Sequence, residues 1–299
     1  MDAQELEWKG NGRILLRIML SRWCNYACPY CPQDHSRHQT YKGASGHWAD
    51  RASPQEWLDA IERQLSQHSL NVHLTGGEPM LDKRNMEPLL RGLVEFPFVR
   101  HVHIDTNLSW RPARWMVAPG KIGLQVSFHP SETSEAEFFA KMRELRDCGW
   151  TIDSANMVVD REMDIQGFID RFAAAGVTLN VSPLWNGTTT VDLSRWVHQT
   201  DLRFRSGEVT GGRMCLYPAV TYDVHPSGKL QVGCHPEQSG DLFGAMPKLP
   251  ETYVPCPDSR GCYCEERYTF LKDNGLNLGL SPLHNFIERQ KEHRACANA

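Results

Sequence analysis

Between residues 13 and 182 the chain repeats one theme six times: a short run of apolar and β-branched residues, then a segment whose apolar positions recur at helical spacing. Strands are expected at 13–20, 72–74, 99–105, 121–127, 151–159 and 177–182. Helices are expected to open at Ser53 and to cover 83–95, 134–148 and 164–175, with a short one near 110–117. Such alternation restricts the chain to a parallel α/β sheet, because each helix returns the backbone to the start of the next strand. The helix ends carry their own punctuation. Ser53-Pro54-Gln55-Glu56 supplies a hydroxyl cap, a proline in the first turn and a glutamate three residues after the cap. Trp57, Leu58, Ile61 and Leu65 then follow at helical spacing. Gly149 and Gly176 are the stops of two later helices. Residues 32–52, rich in His, Gly and polar groups, read as a long loop. Alternation alone does not distinguish an open doubly wound sheet from a barrel.

Directly after the first strand comes Cys24-Asn25-Tyr26-Ala27-Cys28-Pro29-Tyr30-Cys31. Thiolate is the soft ligand that iron–sulfur clusters need. Cys24, Cys28 and Cys31 are enough to hold three irons of a [4Fe–4S] cube, leaving the fourth open to a small molecule. At the end of the second strand stands Leu74-Thr75-Gly76-Gly77-Glu78-Pro79. Together the two motifs resemble the radical S-adenosylmethionine (SAM) superfamily, over residues 12–185. The resemblance implies a partial (β/α)6 TIM barrel, curved but not closed, with the active site at the C-terminal ends of the strands. It implies that SAM chelates the open iron. An electron from the cluster, delivered by an external donor such as flavodoxin or ferredoxin, would then release a 5′-deoxyadenosyl radical that abstracts hydrogen from a substrate. It also implies site residues. Tyr30 would pack on the adenine. Gly76 and Gly77 would let the backbone approach the ligand, which no Cβ obstructs, and Glu78 would help receive the methionine ammonium. Asn107, Ser127, His129 and Asn156, near the ends of later strands, would be further SAM contacts. A zinc site pairing Cys28 and Cys31 with Cys262 and Cys264 is the competing reading; it leaves Cys24 and the glycines unexplained.

From about residue 205 the alternation stops and Cys215, Cys234, Cys256, Cys262 and Cys264 appear. Two of them flank a β-hairpin, 219–224 and 229–233, turning at Pro226-Ser227-Gly228. A cysteine before a hairpin, another after it and more downstream resemble the auxiliary-cluster appendages of the superfamily. Seven cysteines would make the full SPASM type, whereas five suit the shorter twitch type with one extra [4Fe–4S] cluster. Residues 205–299 are therefore expected to form that appendage. Four cysteines would close the cluster. A spare one among Cys256, Cys262 and Cys264 would be a candidate hydrogen donor, and a structural zinc site is the alternative. Cys148, at a helix end, reads as a buried core thiol.

A net charge of −4 and the lack of a Lys/Arg-rich run give no electrostatic case for nucleic acid. No apolar run reaches membrane-spanning length, and the acidic start is unlike a secretory signal. Ten cysteines in 299 residues, grouped at metal-ligand spacing, do not suit a secreted disulfide scaffold. The expected setting is a reducing cytoplasm. Peptide-modifying relatives usually carry a leader-binding domain ahead of the first cluster, so a small molecule is the expected substrate. In size and layout the chain is nearest the aminocyclitol dehydrogenase of butirosin biosynthesis and the neomycin epimerase. The molybdenum-cofactor cyclase resembles it less, since the Gly-Arg-rich tail is missing. The expected reaction is dehydrogenation or epimerisation of an aminosugar, cyclitol or similar polar intermediate. Peptide or tRNA modification, or a non-catalytic SAM-binding iron–sulfur protein, are the other readings.

Overall fold

The computed structural model describes residues 13–31, 46–111, 120–159, 161–183 and 211–257. Six parallel strands follow one another across one sheet in chain order: β1 (Arg13–Ser21), β2 (Ser69–Gly76), β3 (Val99–Thr106), β4 (Ile122–Phe128), β5 (Thr151–Val159) and β6 (Leu179–Pro183). A doubly wound sheet would reverse its strand order at a switch point; this one does not. Among the described residues its far edge, β6, pairs with no further strand, and the sheet is a partial barrel.

Helices α2 (Pro54–Leu65), α3 (Lys83–Glu95), α4 (Glu135–Asp147) and α5 (Ile165–Ala174) connect the strands. Ser53 and Ser134 each accept a bond from the backbone N–H three residues on, and Glu56 and Glu137 reach back to the cap, completing two capping boxes. Gly149 and Gly176 have φ of 82° and 70°, the left-handed conformation that ends a helix most easily with glycine. One face of the sheet buries Leu16, Ile18, Leu70, Val72, Leu74, Val102, Ile104, Leu124 and Val126 in a core with Trp57, Ile61, Leu89, Phe138 and Phe172 of the helices. Each such side chain contributes roughly 1.5–3 kcal/mol. A one-residue slip of any strand would turn its share to the wrong face, so burial fixes the register. The other face is polar. It carries Arg17, His73, Thr75, His103, Asp105, Gln125 and Ser127.

The long loop expected over 32–52 contains a helical turn, α1 (Trp48–Arg51). Tertiary burial accounts for it: Trp48 is fully buried, its carbonyl accepts from Trp57 Nε1 at 3.1 Å, and His47 caps the turn. The short helix expected near 110–117 lies largely outside the described residues.

The hairpin is present as β8 (Thr221–Val224) and β9 (Lys229–Val232), with Gly228 at φ 82° in its turn. Ala219 and Val220, expected in its first strand, instead belong to α6 (Tyr217–Val220), where Pro218 suits a helix start. The hairpin continues the main sheet. β8 runs parallel to β1, pairing Leu15 with Thr221 through Ile18 with Val224, and β10 (His235–Asp241) adds to β9. Helix α2 holds this extension: Arg63 and Gln64 donate to the carbonyls of Phe243 and Gly244, and Trp57 meets the Phe243 ring edge-on. A separate two-stranded ladder pairs β7 (Met214–Cys215) with β11 (Val254–Pro255). No helix among the described residues is long and apolar enough to cross a membrane.

Candidate active site

Parallel strands gather their C-terminal ends at one rim, and most of the residues singled out in the sequence stand there. The loop after β1 carries Cys28 buried, with Cys24 and Cys31 part-exposed. Burial pushes the Cys24 thiol up to about 11 and the Cys28 thiol up to about 12, and the neighbouring cysteines add to both shifts.

The glycine motif braces this loop from the side. Gly77 N–H donates to the Ser21 carbonyl and Glu78 N–H to the Trp23 carbonyl, each at 2.8 Å. A Cβ on Gly77 would lie 1.7 Å from the Trp23 carbonyl oxygen and 2.9 Å from the Cys24 nitrogen. Gly76, at φ 140°, would put a Cβ 2.4 Å from the Ser21 carbonyl oxygen. In the folded chain these glycines are therefore needed for contact with the cysteine loop itself.

Glu78 is buried, and its carboxylate is filled by the ends of β2 and β3. Oε1 accepts from Met80 N–H at 3.0 Å and Thr106 Oγ1 at 2.9 Å, and Oε2 accepts from Asn107 N–H at 2.5 Å. Burial outweighs these donors and raises its pKa to about 7. Asn107 then reaches the cysteine loop, with Nδ2 3.5 Å from Cys24 Sγ and 3.2 Å from Asn25 Oδ1. From the end of β4, His129 Nδ1 lies 2.8 Å from the Tyr30 hydroxyl and 3.4 Å from Cys28 Sγ. Burial lowers the His129 pKa to about 4, so it is neutral near pH 7. Ser127 and Asn156 are register partners on β4 and β5, and Asn156 Oδ1 accepts from Asn180. They stand apart from the cysteine-loop contacts.

Cys215 and Cys256 both belong to the small ladder: Cys215 pairs with Val254, and Cys256 N–H donates to the Arg213 carbonyl. Cys234 follows Gly233, where a Cβ would lie 2.9 Å from Pro218 Cα and 3.0 Å from Tyr217 Cδ1. Cys262 and Cys264 lie outside the described residues. Cys148 is exposed rather than buried. It is the C-cap of α4, and a residue where the helix stops is easily turned to solvent.

Two features escaped the sequence reading. A cavity of about 320 Å³ opens on the polar face beside the hairpin, lined by Arg17, Met19, Thr75, Asp223, His225 and Lys229. Thr75 directly precedes the glycine motif, which places the cavity just below the rim. Deeper on the same face is a network of His73, His101, His103, Asp105 and Asp153. Its signal was available: His101-x-His103-x-Asp105 alternates at period two, which puts all three on one face of a strand.

Residues 18–150 match the model of the Radical SAM superfamily. The chain is 25% identical to a GTP 3′,8-cyclase of Pectobacterium atrosepticum over 264 residues, covering 81% of this chain and 74% of the relative. It is 22% identical to a GTP 3′,8-cyclase of Vibrio parahaemolyticus, covering 82% and 75%. The fold is similar to that of native anSMEcpe with bound AdoMet, at a TM-score of 0.51 and 12% identity, covering 78% of this chain and 79% of that one. The curated relatives are thus cyclases, the kind that the layout had placed below the dehydrogenase and the epimerase.

Proposed function

We propose that the protein is a radical SAM enzyme acting on a small polar substrate, with Cys24, Cys28 and Cys31 as the cluster ligands. The observation that carries this reading is the convergence of three cysteines, a braced glycine motif and a polar cavity at one rim of a partial barrel. The donor set suits the cofactor: three thiols stand within one eight-residue segment, enough for three irons of a [4Fe–4S] cluster. The Cys24 and Cys28 thiols are protonated at neutral pH, and coordination to iron would displace those protons. The bound cluster and SAM would supply reductive cleavage to a 5′-deoxyadenosyl radical.

The chain's own residues orient and shield. Asn107 and His129 hold Cys24 and Cys28 from two different strands, and Glu78 fixes the backbone of Asn107. Tyr30, positioned by His129, offers a ring beside the loop for an adenine. Gly76, Gly77, Ser127 and Asn156 are the remaining proposed SAM contacts, where backbone or polar side chains edge the rim. The substrate would enter the cavity below, whose Arg17 and Lys229 favour an anionic or polyhydroxylated molecule.

For the substrate, the cyclase relatives favour a nucleoside triphosphate such as GTP. Dehydrogenation or epimerisation of an aminosugar or cyclitol remains the second reading, supported by the polar cavity alone. An auxiliary [4Fe–4S] cluster on four of Cys215, Cys234, Cys256, Cys262 and Cys264 is part of the same proposal, supported by the hairpin that lies between Cys215 and Cys234.

Anaerobically reconstituted protein should form 5′-deoxyadenosine from SAM on reduction with dithionite, and the triple replacement of Cys24, Cys28 and Cys31 by Ala should abolish it while removing about four irons per chain. Unchanged 5′-deoxyadenosine or iron in that variant would refute the assignment. Consumption of GTP with loss of one hydrogen to 5′-deoxyadenosine selects the cyclase-like substrate. A ketone or an epimer from an aminocyclitol selects the other.

A further inference from the structure

We infer that the floor of the barrel holds a divalent transition-metal site, separate from the cysteines, built on His73, His103 and Asp105. One ligand atom from each of the three lies within 4.8 Å of the other two. His73 and His103 come from neighbouring strands in register, with ring centroids 5.1 Å apart, and Asp105 stands one pleat above His103.

The distances favour a cation over a closed hydrogen-bond network. His73 Nε2 lies 3.0 Å from Asp105 Oδ2, but His103 Nε2 lies 3.8 Å from Asp105 Oδ1. That gap is too long for a hydrogen bond, yet two metal–ligand bonds of roughly 2.0–2.2 Å each would span it. The network also leaves one ligand atom over: Oδ1 of Asp105 is buried and has no hydrogen-bond partner. An unsatisfied buried polar atom is costly, and coordination to a cation would remove that cost.

The surroundings match what metal-binding histidines require. A ligand histidine normally gives its second ring N–H to a carboxylate, which fixes its tautomer. Here His103 Nδ1 lies 3.3 Å from Asp153 Oδ2, and His101 holds the same carboxylate oxygen at 3.1 Å. Gly123 makes room for this support, because a Cβ there would lie 1.7 Å from Asp153 Oδ2. Gln125 Oε1, 3.1 Å from His103 Nε2, offers a further oxygen. A ligand set of nitrogen and oxygen without sulfur suits zinc or a similar divalent ion and not an iron–sulfur cluster. Thr75, two residues beyond His73 on the same strand face, lines the cavity.

The test uses full-length, anaerobically reconstituted protein equilibrated with zinc, with metal analysis and X-ray absorption at the zinc edge. One zinc per chain with nitrogen and oxygen neighbours only is expected, and it should remain when Cys24, Cys28 and Cys31 are all replaced by Ala. It should be lost in His73→Ala and in the isosteric Asp105→Asn, but kept in His101→Ala. Asp153→Asn should weaken zinc binding by about 10–100-fold, as expected for a positioning residue. Unchanged cluster iron identifies variants that fold, and the wild-type spectrum stands whether or not they do. The inference is overturned if wild-type protein binds zinc only through sulfur or not at all. It is equally overturned if Asp105→Asn binds zinc normally, or if His101→Ala loses the metal while His73→Ala keeps it.

Discussion

Replacing Gly77 by Ala decides between two uses of the glycine motif. If the glycine serves ligand approach alone, alanine should weaken SAM binding and leave the protein otherwise intact. The structure argues for a different result. The added Cβ would sit 1.7 Å from the Trp23 carbonyl oxygen, whereas nonbonded contacts settle near roughly 3.5 Å, so the two backbones must part by roughly 2 Å. Such a shift breaks the two 2.8 Å bonds that join Gly77 and Glu78 to Ser21 and Trp23. Two net hydrogen bonds at roughly 0.5–1.5 kcal/mol each, plus about 1–3 kcal/mol of overpacking, give a destabilisation of about 2–6 kcal/mol. Because Cys24 follows Trp23, the strain falls on the loop proposed to hold the cluster. Urea unfolding of metal-free protein should show a lowered midpoint, and reconstituted Gly77→Ala should retain less iron than wild type. A variant with the wild-type midpoint and full iron, deficient only in SAM affinity by equilibrium dialysis, would refute this reasoning.

Glu78→Gln keeps the shape of the side chain but turns an amide N–H toward the Asn107 N–H, and should cost about 1–3 kcal/mol in urea unfolding at pH 5, where Glu78 is protonated and no buried charge is relieved; an unchanged or raised midpoint there would contradict the clamp. Glu78 also predicts a pH dependence. With its pKa raised by burial from 4.5 to about 7, its contribution is fully present below about pH 4.5 and is lost as pH rises through 7. The difference is roughly 3 kcal/mol, and comparison of wild type with Glu78→Gln between pH 5 and 8 should show this slope only in the wild type. Ser53→Ala and Ser134→Ala should each cost about 0.5–2 kcal/mol by thermal or urea unfolding.

What the sequence made legible was local. The bounds of α3 and the capping box of α2 follow from residues a few positions apart, so one chain suffices to read them. Long-range pairing was another matter. The hairpin at 221–232 was visible as a hairpin, but nothing in its residues says that β8 will lie beside β1. Gly77 was recognisable as a close-approach glycine, yet sequence does not say what approaches, and the folded chain puts Trp23 there. His101, His103 and Asp105 were readable as one strand face. Their meeting with His73 and Asp153 depends on the register of three strand pairs and on the irregularity opposite Leu124 and Gln125.

The pairing of β8 with β1 has a consequence for biosynthesis. Leu15 and its partner Thr221 are separated by about 200 residues, which a ribosome adding about 5–20 residues per second needs some 10–40 s to make. Through that interval β1 can pair with β2 on one side, while its other edge presents unpaired backbone groups beside the cysteine loop. Exposed strand edges invite pairing with other chains. The nascent chain therefore passes through a stage in which its cysteine loop borders an open edge, and shielding by chaperones or early iron loading would have its largest effect on yield before residue 221 emerges.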